Sequence, residues 1–167
     1  MKTSNLVDYE SFGDGMPIVF LHGMALSKES NIFFFEPFLQ FSNWQRIYLD
    51  LPGMGHSAPI DKANSDTVLD TLVKSIKEII GNQKFVLYGH SYGGYMAQAL
   101  AEIFSNQIIG LFLTAPVVTA HKSKRLLAKH QNIFIEPVKV DKNADYYNDF
   151  LSMNSRINQE NWENIKN

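Results

Sequence analysis

A serine bracketed by glycines constrains this chain more than any other feature. Gly89-His90-Ser91-Tyr92-Gly93-Gly94 follows a short apolar run, 84–88 (Lys-Phe-Val-Leu-Tyr), and opens a segment, 92–105, with Met96, Ala97, Leu100, Ala101 and Phe104 at helical spacing. The bare pattern G-x-S-x-G arises by chance in about one chain of this size in twenty, taking Gly and Ser each near 7% of residues. Its position between a strand and a helix makes it informative. A nucleophile lifted on a sharp strand-to-helix turn has a strained backbone and tolerates only small flanking residues. Gly89 and Gly93 meet that demand, and Gly94 lets the helix approach closely. The turn also puts the Ser91 hydroxyl at the positive end of a helix. The alternative is a glycine-rich turn carrying an incidental serine.

The rest of the chain supplies the scaffold that such a turn needs. Strands are expected at 6–10, 17–22, 45–50, 84–88 and 108–114, the second as an apolar run ending at Gly23 and the third stopped by Pro52-Gly53. Continuous apolar runs suit strands buried on both faces. A helix is predicted over 66–80, with Val68, Leu69, Leu72, Val73, Ile76, Ile79 and Ile80 on one face, Ser65 or Asp66 as its cap and Gly81 as its end. A weaker helix is expected within 31–41, entering near Pro37. Strands alternating with helices give an α/β fold: a mostly parallel sheet with helices on both faces. After Pro116 the texture changes. Residues 121–130 are basic, and 141–167 are polar, with Tyr146, Tyr147, Phe150, Leu151 and Trp162 spaced like short amphipathic helices.

Composition closes off several function classes. The 167 residues suffice for one domain with a real core, and 45% are hydrophobic. A net charge of −2 leaves no polybasic field for nucleic acid or an anionic membrane. No cysteine is present, which removes disulfides, thiolate metal sites and a cysteine nucleophile. No apolar run approaches the roughly 18 residues of a membrane span. Residues Met1 to Asn5 show no signal pattern, so a cytoplasmic location is expected.

Two further motifs join Ser91. His22-Gly23-Met24 ends the second predicted strand. An acyl-transfer site needs two backbone N–H groups aimed at the oxyanion. Tyr92, just after the serine, offers one, and Met24, after a tight turn at Gly23, offers the other. Read alone, Gly23 is an ordinary strand-ending glycine. Asp50-Leu51-Pro52-Gly53-Met54-Gly55-His56-Ser57 forms a rigid loop at the sheet edge where open α/β folds hold their sites. Taken together, His22-Gly23, Asp50-x-Pro52-Gly53-x-Gly55-x-Ser57 and Gly89-His90-Ser91-x-Gly93-Gly94 resemble the α/β-hydrolase superfamily in order and spacing. The likeness covers residues 6–118 and is nearest the esterase, lipase, aminopeptidase and haloperoxidase-like branch. It implies a serine hydrolase acting on an ester-like bond of a small molecule, with Ser91 as nucleophile, Met24 and Tyr92 as oxyanion hole, and His22, Gly23, Gly89, His90 and Gly93 as supporting residues. It implies no cofactor, and no metal site is expected because no pair of histidines has ligand spacing on one element. Residues 1–118 would be the hydrolase core and 119–167 the start of a helical lid.

The resemblance also implies an acid and then a histidine after two further strands. Only His121 and His130 follow Ser91, neither comes after an acid at a strand end, and no strand-like run exists after residue 140. The C-terminal strands of the family are missing from the pattern, and 161–167 reads as a helix cut mid-course. His22 is expected to brace the oxyanion loop, His56 and His90 to sit in tight turns, and His121 and His130 to be solvated. The fifth strand would be an apolar sheet edge, so self-association or pairing with a complementing C-terminal fragment is expected. The competing reading is a non-catalytic binding protein on a hydrolase-like core.

Overall fold

Strict alternation along the apolar runs decides which side chains meet which layer, because successive strand residues point to opposite faces. Val19, Leu21, Ile47, Leu49 and Leu87 are buried on one face of the sheet. Phe20, Tyr48 and Tyr88, each one residue out of phase, are buried on the other. The computed structural model describes residues 2–3, 6–41, 43–126 and 128–165. The chain divides into two compact units, Met1–Ala120 and His121–Asn167.

The first unit contains β1 (Lys2–Thr3), β2 (Asp8–Phe12), β3 (Met16–Leu21), α1 (Lys28–Leu39), β4 (Trp44–Leu49), α2 (Ser65–Ile80), β5 (Phe85–His90), α3 (Tyr92–Ile103) and β6 (Ile108–Thr114). The sheet order is β1-β2-β4-β3-β5-β6. β4, β3, β5 and β6 run parallel, and β1 and β2 add an antiparallel margin. The expected α/β fold, mostly parallel with helices on both faces, is therefore present. Val68, Leu72, Ile76 and Ile80 of α2 and Met96, Ala97 and Leu100 of α3 cover one face. On the other, Ile32, Phe35 and Leu39 of α1 pack on Phe20, Tyr48 and Tyr88. Phe20 stacks on Tyr48 at 4.5 Å between ring centroids. Arg46 adds a polar tie, donating from Nε and Nη2 to the two carboxylate oxygens of Glu36 on α1 at 2.8 and 3.0 Å.

Chain order gives the sheet one place where connections diverge. From β3 the chain crosses through α1 to β4; from β5 it crosses through α3 to β6 on the opposite side. Adjacent β3 and β5 therefore frame a crevice at their carboxyl ends, the position where open α/β sheets bind ligands. Leu21, ending β3, leads into Gly23-Met24, and His90, ending β5, leads into Ser91.

Several expectations need correction. α1 starts at Lys28 and contains Pro37 in its last turn. Lys28 is drawn in by partners from distant strands, which no local pattern shows. α2 is capped by Asn64, whose side chain accepts from the Thr67 amide at 2.9 Å. The capping residue stands just outside helical geometry, one position before Ser65. β2 lies two residues later than expected, because its ladder with β4 pairs Phe12 with Arg46.

The second unit has a 3₁₀ turn (Lys122–Lys124), β7 (Ile133–Phe134), α4 (Tyr147–Met153), β8 (Arg156–Ile157) and α5 (Gln159–Asn164). Phe150, Ile157 and Trp162 form its core. β8 corrects the expectation of no strand after residue 140: a two-residue pairing with β7 is too short to leave a run in the sequence. The expected helix over 161–167 ends at Asn164 in α5, and its last two residues lie outside the described ones. No described helix is long and apolar enough to cross a membrane.

Candidate active site

The turn after β5 has the strain that its sequence foretells. Ser91 adopts φ +50° and ψ −110°, and it is one of three described non-glycine residues with positive φ. Such a conformation costs about 1–3 kcal/mol and persists only where the surroundings hold it. Here the Ser91 amide donates to the Thr114 carbonyl at 3.0 Å, and the Ser91 carbonyl accepts from the amides of Tyr95 and Val117, both at 3.1 Å. β6 and α3 thus clamp the turn from two sides. A Cβ on Gly89 would lie 2.6 Å from the Gly93 carbonyl oxygen and 2.8 Å from the Ala97 methyl. A Cβ on Gly93 would collide with the carbonyls of Leu21 and His22. The two glycines let α3 start directly against the ends of β3 and β5.

Tyr92 is the first residue of α3, so its N–H belongs to the helix-terminal donors without an intrahelical partner. The loop carrying Met24 lies beside it. A Cβ built on Gly23 would sit 3.4 Å from Ser91 Cβ and 3.0 Å from His90 Cδ2. The loop turns through Ala25, at φ +59°, and closes with Leu26 N–H donating to the Gly23 carbonyl at 3.3 Å. His22 is fully buried beneath it. Its Nδ1–H donates to the Gly23 carbonyl at 2.7 Å, and its Nε2 accepts from the Leu51 amide at 2.9 Å. Both contacts require the neutral ring with its proton on Nδ1. Burial pushes the His22 pKa below its ordinary value, against the opposing pull of the Gly23 carbonyl and Asp50. His22 therefore joins the loop after β3 to the loop after β4.

The α/β hydrolase fold family matches this chain over residues 16–160. The chain belongs to that family. Among known proteins, this α/β-hydrolase is 32% identical over 113 residues to a pimeloyl-[acyl-carrier protein] methyl ester esterase of Shewanella woodyi, a match covering 67% of this chain and 40% of the relative. It is 26% identical over 140 residues to a proline iminopeptidase of Neisseria gonorrhoeae, covering 75% of this chain and 44% of the relative. The crystal structure of an α/β superfamily hydrolase from Oenococcus oeni PSU-1 is 53% identical, with a TM-score of 0.78, over 97% of this chain and 61% of that one. The chain thus spans less than half the length of these two curated relatives.

Two clefts flank the elbow. One, of about 410 Å³, is lined by uncharged residues that include Met24, Pro52, Met54, Ile60, Val68 and Tyr92. The second, of about 330 Å³, lies towards α1 and has Tyr88, His90 and Thr114 in its wall. His90 Nδ1 is 3.0 Å from Thr114 Oγ1, which also bonds the Tyr88 hydroxyl at 2.7 Å. Among the described residues no side chain is hydrogen-bonded to Ser91 Oγ. His121 and His130 lie in the second unit, where His130 Nε2 donates to the Leu151 carbonyl at 2.7 Å.

Sequence reasoning missed Lys28. Its side chain is fully buried, with Nζ 2.7 Å from Asp8 Oδ2, 3.0 Å from Asp50 Oδ2 and 3.0 Å from Glu29 Oε1. His56 Nδ1 lies 3.2 Å away. Burial alone would lower the Lys28 pKa, but the three carboxylates overcome it and raise it. Burial would likewise raise Glu29; hydrogen bonds from Ser27, its own amide and Lys28 outweigh that and hold it at about 2. Asp50 is the hub. Its Oδ1 accepts from the Lys28 amide at 2.7 Å and its Oδ2 from the His56 amide at 2.8 Å. A side chain on Gly55 would strike this carboxylate. Ser57 Oγ donates to the Asp50 carbonyl at 2.8 Å and accepts from the Asp8 amide at 2.9 Å. Asp8, Asp50 and His56 bring ligand-type atoms within 4.8 Å of one another, but the Lys28 ammonium fills the cationic position among them. The motif Asp50 to Ser57 is therefore the part of the sequence that could have flagged this network, and its partners Asp8 and Lys28 carry no local signal.

Proposed function

We propose that this chain is the nucleophile-bearing part of a serine hydrolase that cleaves an ester-like bond, a carboxylic ester, thioester or amide, in a small molecule. The observation that carries the reading is the strained Ser91 backbone, at φ +50°, held by β6 and α3 at the N-terminus of a helix. A clamped turn of this kind maintains a costly conformation at a partly exposed serine, and α/β-hydrolases place their nucleophile on such an elbow.

In this reading Ser91 Oγ attacks the substrate carbonyl carbon, and its proton passes to a base from outside the described residues. The carbonyl electron pair moves to oxygen, where the Met24 and Tyr92 amides receive the negative charge. Collapse of the tetrahedral intermediate expels the alcohol, thiol or amine, which takes up the proton. Water then attacks the acyl-enzyme and frees the acid and Ser91. No cofactor enters this scheme. The uncharged cleft beside Met24 and Tyr92 suits an apolar acyl portion. His22 supports the oxyanion loop by fixing the Gly23 carbonyl, and the Met24 N–H of the same planar peptide points the opposite way. The second unit, with its separate aromatic core, corresponds in this reading to the start of a lid.

A second reading, a binding protein on a hydrolase core, draws on one observation: no described side chain is bonded to Ser91 Oγ. Hydrolysis of p-nitrophenyl acetate separates the two. The hydrolase reading expects turnover that Ser91→Ala removes while leaving the circular dichroism spectrum unchanged. Equal rates in the two proteins would contradict it.

A further inference from the structure

The loop that carries Met24 has little of its own to hold it in place. Its described internal hydrogen bond runs from the Leu26 N–H to the Gly23 carbonyl at 3.3 Å. Met24, Ala25 and Leu26 are all exposed. Ala25 stands at φ +59°, in the left-handed region that a side chain disfavours. A residue stays there only where its surroundings over-determine it. The restraint on residues 23–27 therefore comes from the two ends of the loop.

Both ends are tied to two successive residues after β4. At the first end, His22 accepts from the Leu51 amide. At the second, the start of α1 lacks a cap of its own: Ser27 occupies the N-cap position without a side-chain bond to the helix. Asp50 takes that role from across the fold, its Oδ1 accepting the Lys28 N–H at 2.7 Å at the positive end of the helix. The Lys28 side chain then returns to the same carboxylate, with Nζ donating to Asp50 Oδ2 at 3.0 Å. One residue thus grips both oxygens of a fully buried group. Nζ also lies 2.7 Å from Asp8 Oδ2. Asp8 and Asp50 are neighbours, since the Asp50 N–H donates to the Asp8 carbonyl at 2.9 Å, and their carboxylates repel without a cation between them. The lysine is what lets the Asp50 carboxylate keep its place as the cap.

We propose that Lys28 is a positioning residue for the oxyanion hole: clamped on Asp50, it fixes the start of α1, holds the strained Ala25 turn and keeps the Met24 N–H beside Ser91. The use of that N–H rests on the hydrolase reading; the restraint on the loop does not. Lys28, fully buried, does not itself meet the substrate. It acts through the loop, because a donor already in place needs no reorganisation as negative charge develops on the substrate oxygen. His22 fixes one end of the loop and Lys28 the other, and neither alone spans residues 23–27.

The experiment compares the full chain with Lys28→Met and with Ile76→Ala, a core truncation in α2 that costs stability away from the loop. All three are studied where circular dichroism shows them fully folded. Amide 15N relaxation reads the Met24 N–H, and intact mass reads the rate at which a fluorophosphonate adduct forms on Ser91. The Met24 order parameter should be about 0.85 in the parent, as in rigid backbone, and below about 0.6 in Lys28→Met. Adduct formation should slow about tenfold or more in Lys28→Met, and adding Ala25→Gly, which relieves the strained turn, should restore part of it. Ile76→Ala should match the parent in both readouts. A Met24 amide as rigid in Lys28→Met as in the parent would overturn the proposal, as would equal changes in Ile76→Ala. Should Lys28→Met not fold, Lys28→Met/Asp8→Asn, with one orphaned charge removed, carries the same comparison. A parent that forms no adduct counts against Ser91 as nucleophile, and the order parameters still decide the role of Lys28 in the loop.

Discussion

Replacing Lys28 with methionine tests the largest energetic inference drawn from the site. The methionine keeps most of the stem volume and removes the ammonium, leaving Asp8 and Asp50 buried without their cation. Breaking a buried ion pair by removing one partner costs about 3–5 kcal/mol. Asp50 retains two backbone donors, from Lys28 and His56, which places the expected loss near the lower end of that range. Asp8 has its ion pair at 2.7 Å with Lys28 and gains nothing in exchange. A loss of about 3 kcal/mol is a large share of the 5–15 kcal/mol typical of a folded domain. For a chain of this size it lowers the melting temperature by about 6–12 °C. Urea denaturation followed by circular dichroism measures it directly. The double variant Lys28→Met/Asp8→Asn should recover part of the loss, because one orphaned charge is then gone. A Lys28→Met protein within about 0.5 kcal/mol of the parent would refute the reasoning, since that is the size of an unremarkable surface substitution.

Two other outcomes follow from the same geometry. Gly93→Ala drives a methyl into the Leu21 and His22 carbonyls, so it should lower the melting temperature and slow any reaction at Ser91, whereas Gly81→Ala, which has open space around it, leaves reactivity at Ser91 unchanged. The folded-state pKa of His22 is depressed by burial, so its contribution to stability is complete above the ordinary value of 6.5 and is lost as pH falls through the lowered value. Urea midpoints from pH 7.5 to 5 should therefore fall, and fall less steeply in His22→Gln; parallel slopes in the two proteins would count against a neutral buried ring.

Much of the scaffold is legible in the sequence because it is written in local patterns. The runs ending at Gly23 and Pro52 mark β3 and β4 to within a residue, while β5 continues through Gly89 to His90, two residues past the expected end. The seven apolar positions of 66–80 mark α2, and glycines flanking Ser91 foretell a close approach that the Gly93 and Ala97 contacts show to be physical. What stays hidden is what depends on partners far along the chain. The start of α1 is fixed by Lys28 reaching Asp8 and Asp50, 20 and 22 residues away by number, and nothing near Lys28 announces it. The Asn64 cap is displaced by one residue from the expected pair because three polar residues in a row could each have served. β1, β7 and β8 are two-residue pairings set by their neighbours and carry no periodicity. At the site, the motif shows a histidine after β3, but the tautomer follows only from the Leu51 and Gly23 contacts.

The central claim is that Ser91 is a nucleophile. Intact-mass spectrometry after exposure to a fluorophosphonate, followed by peptide mapping, tests it most directly. The account predicts a single adduct on the peptide containing Ser91, absent from Ser91→Ala. Folded protein that takes up no adduct, or takes it up equally in Ser91→Ala, would contradict it.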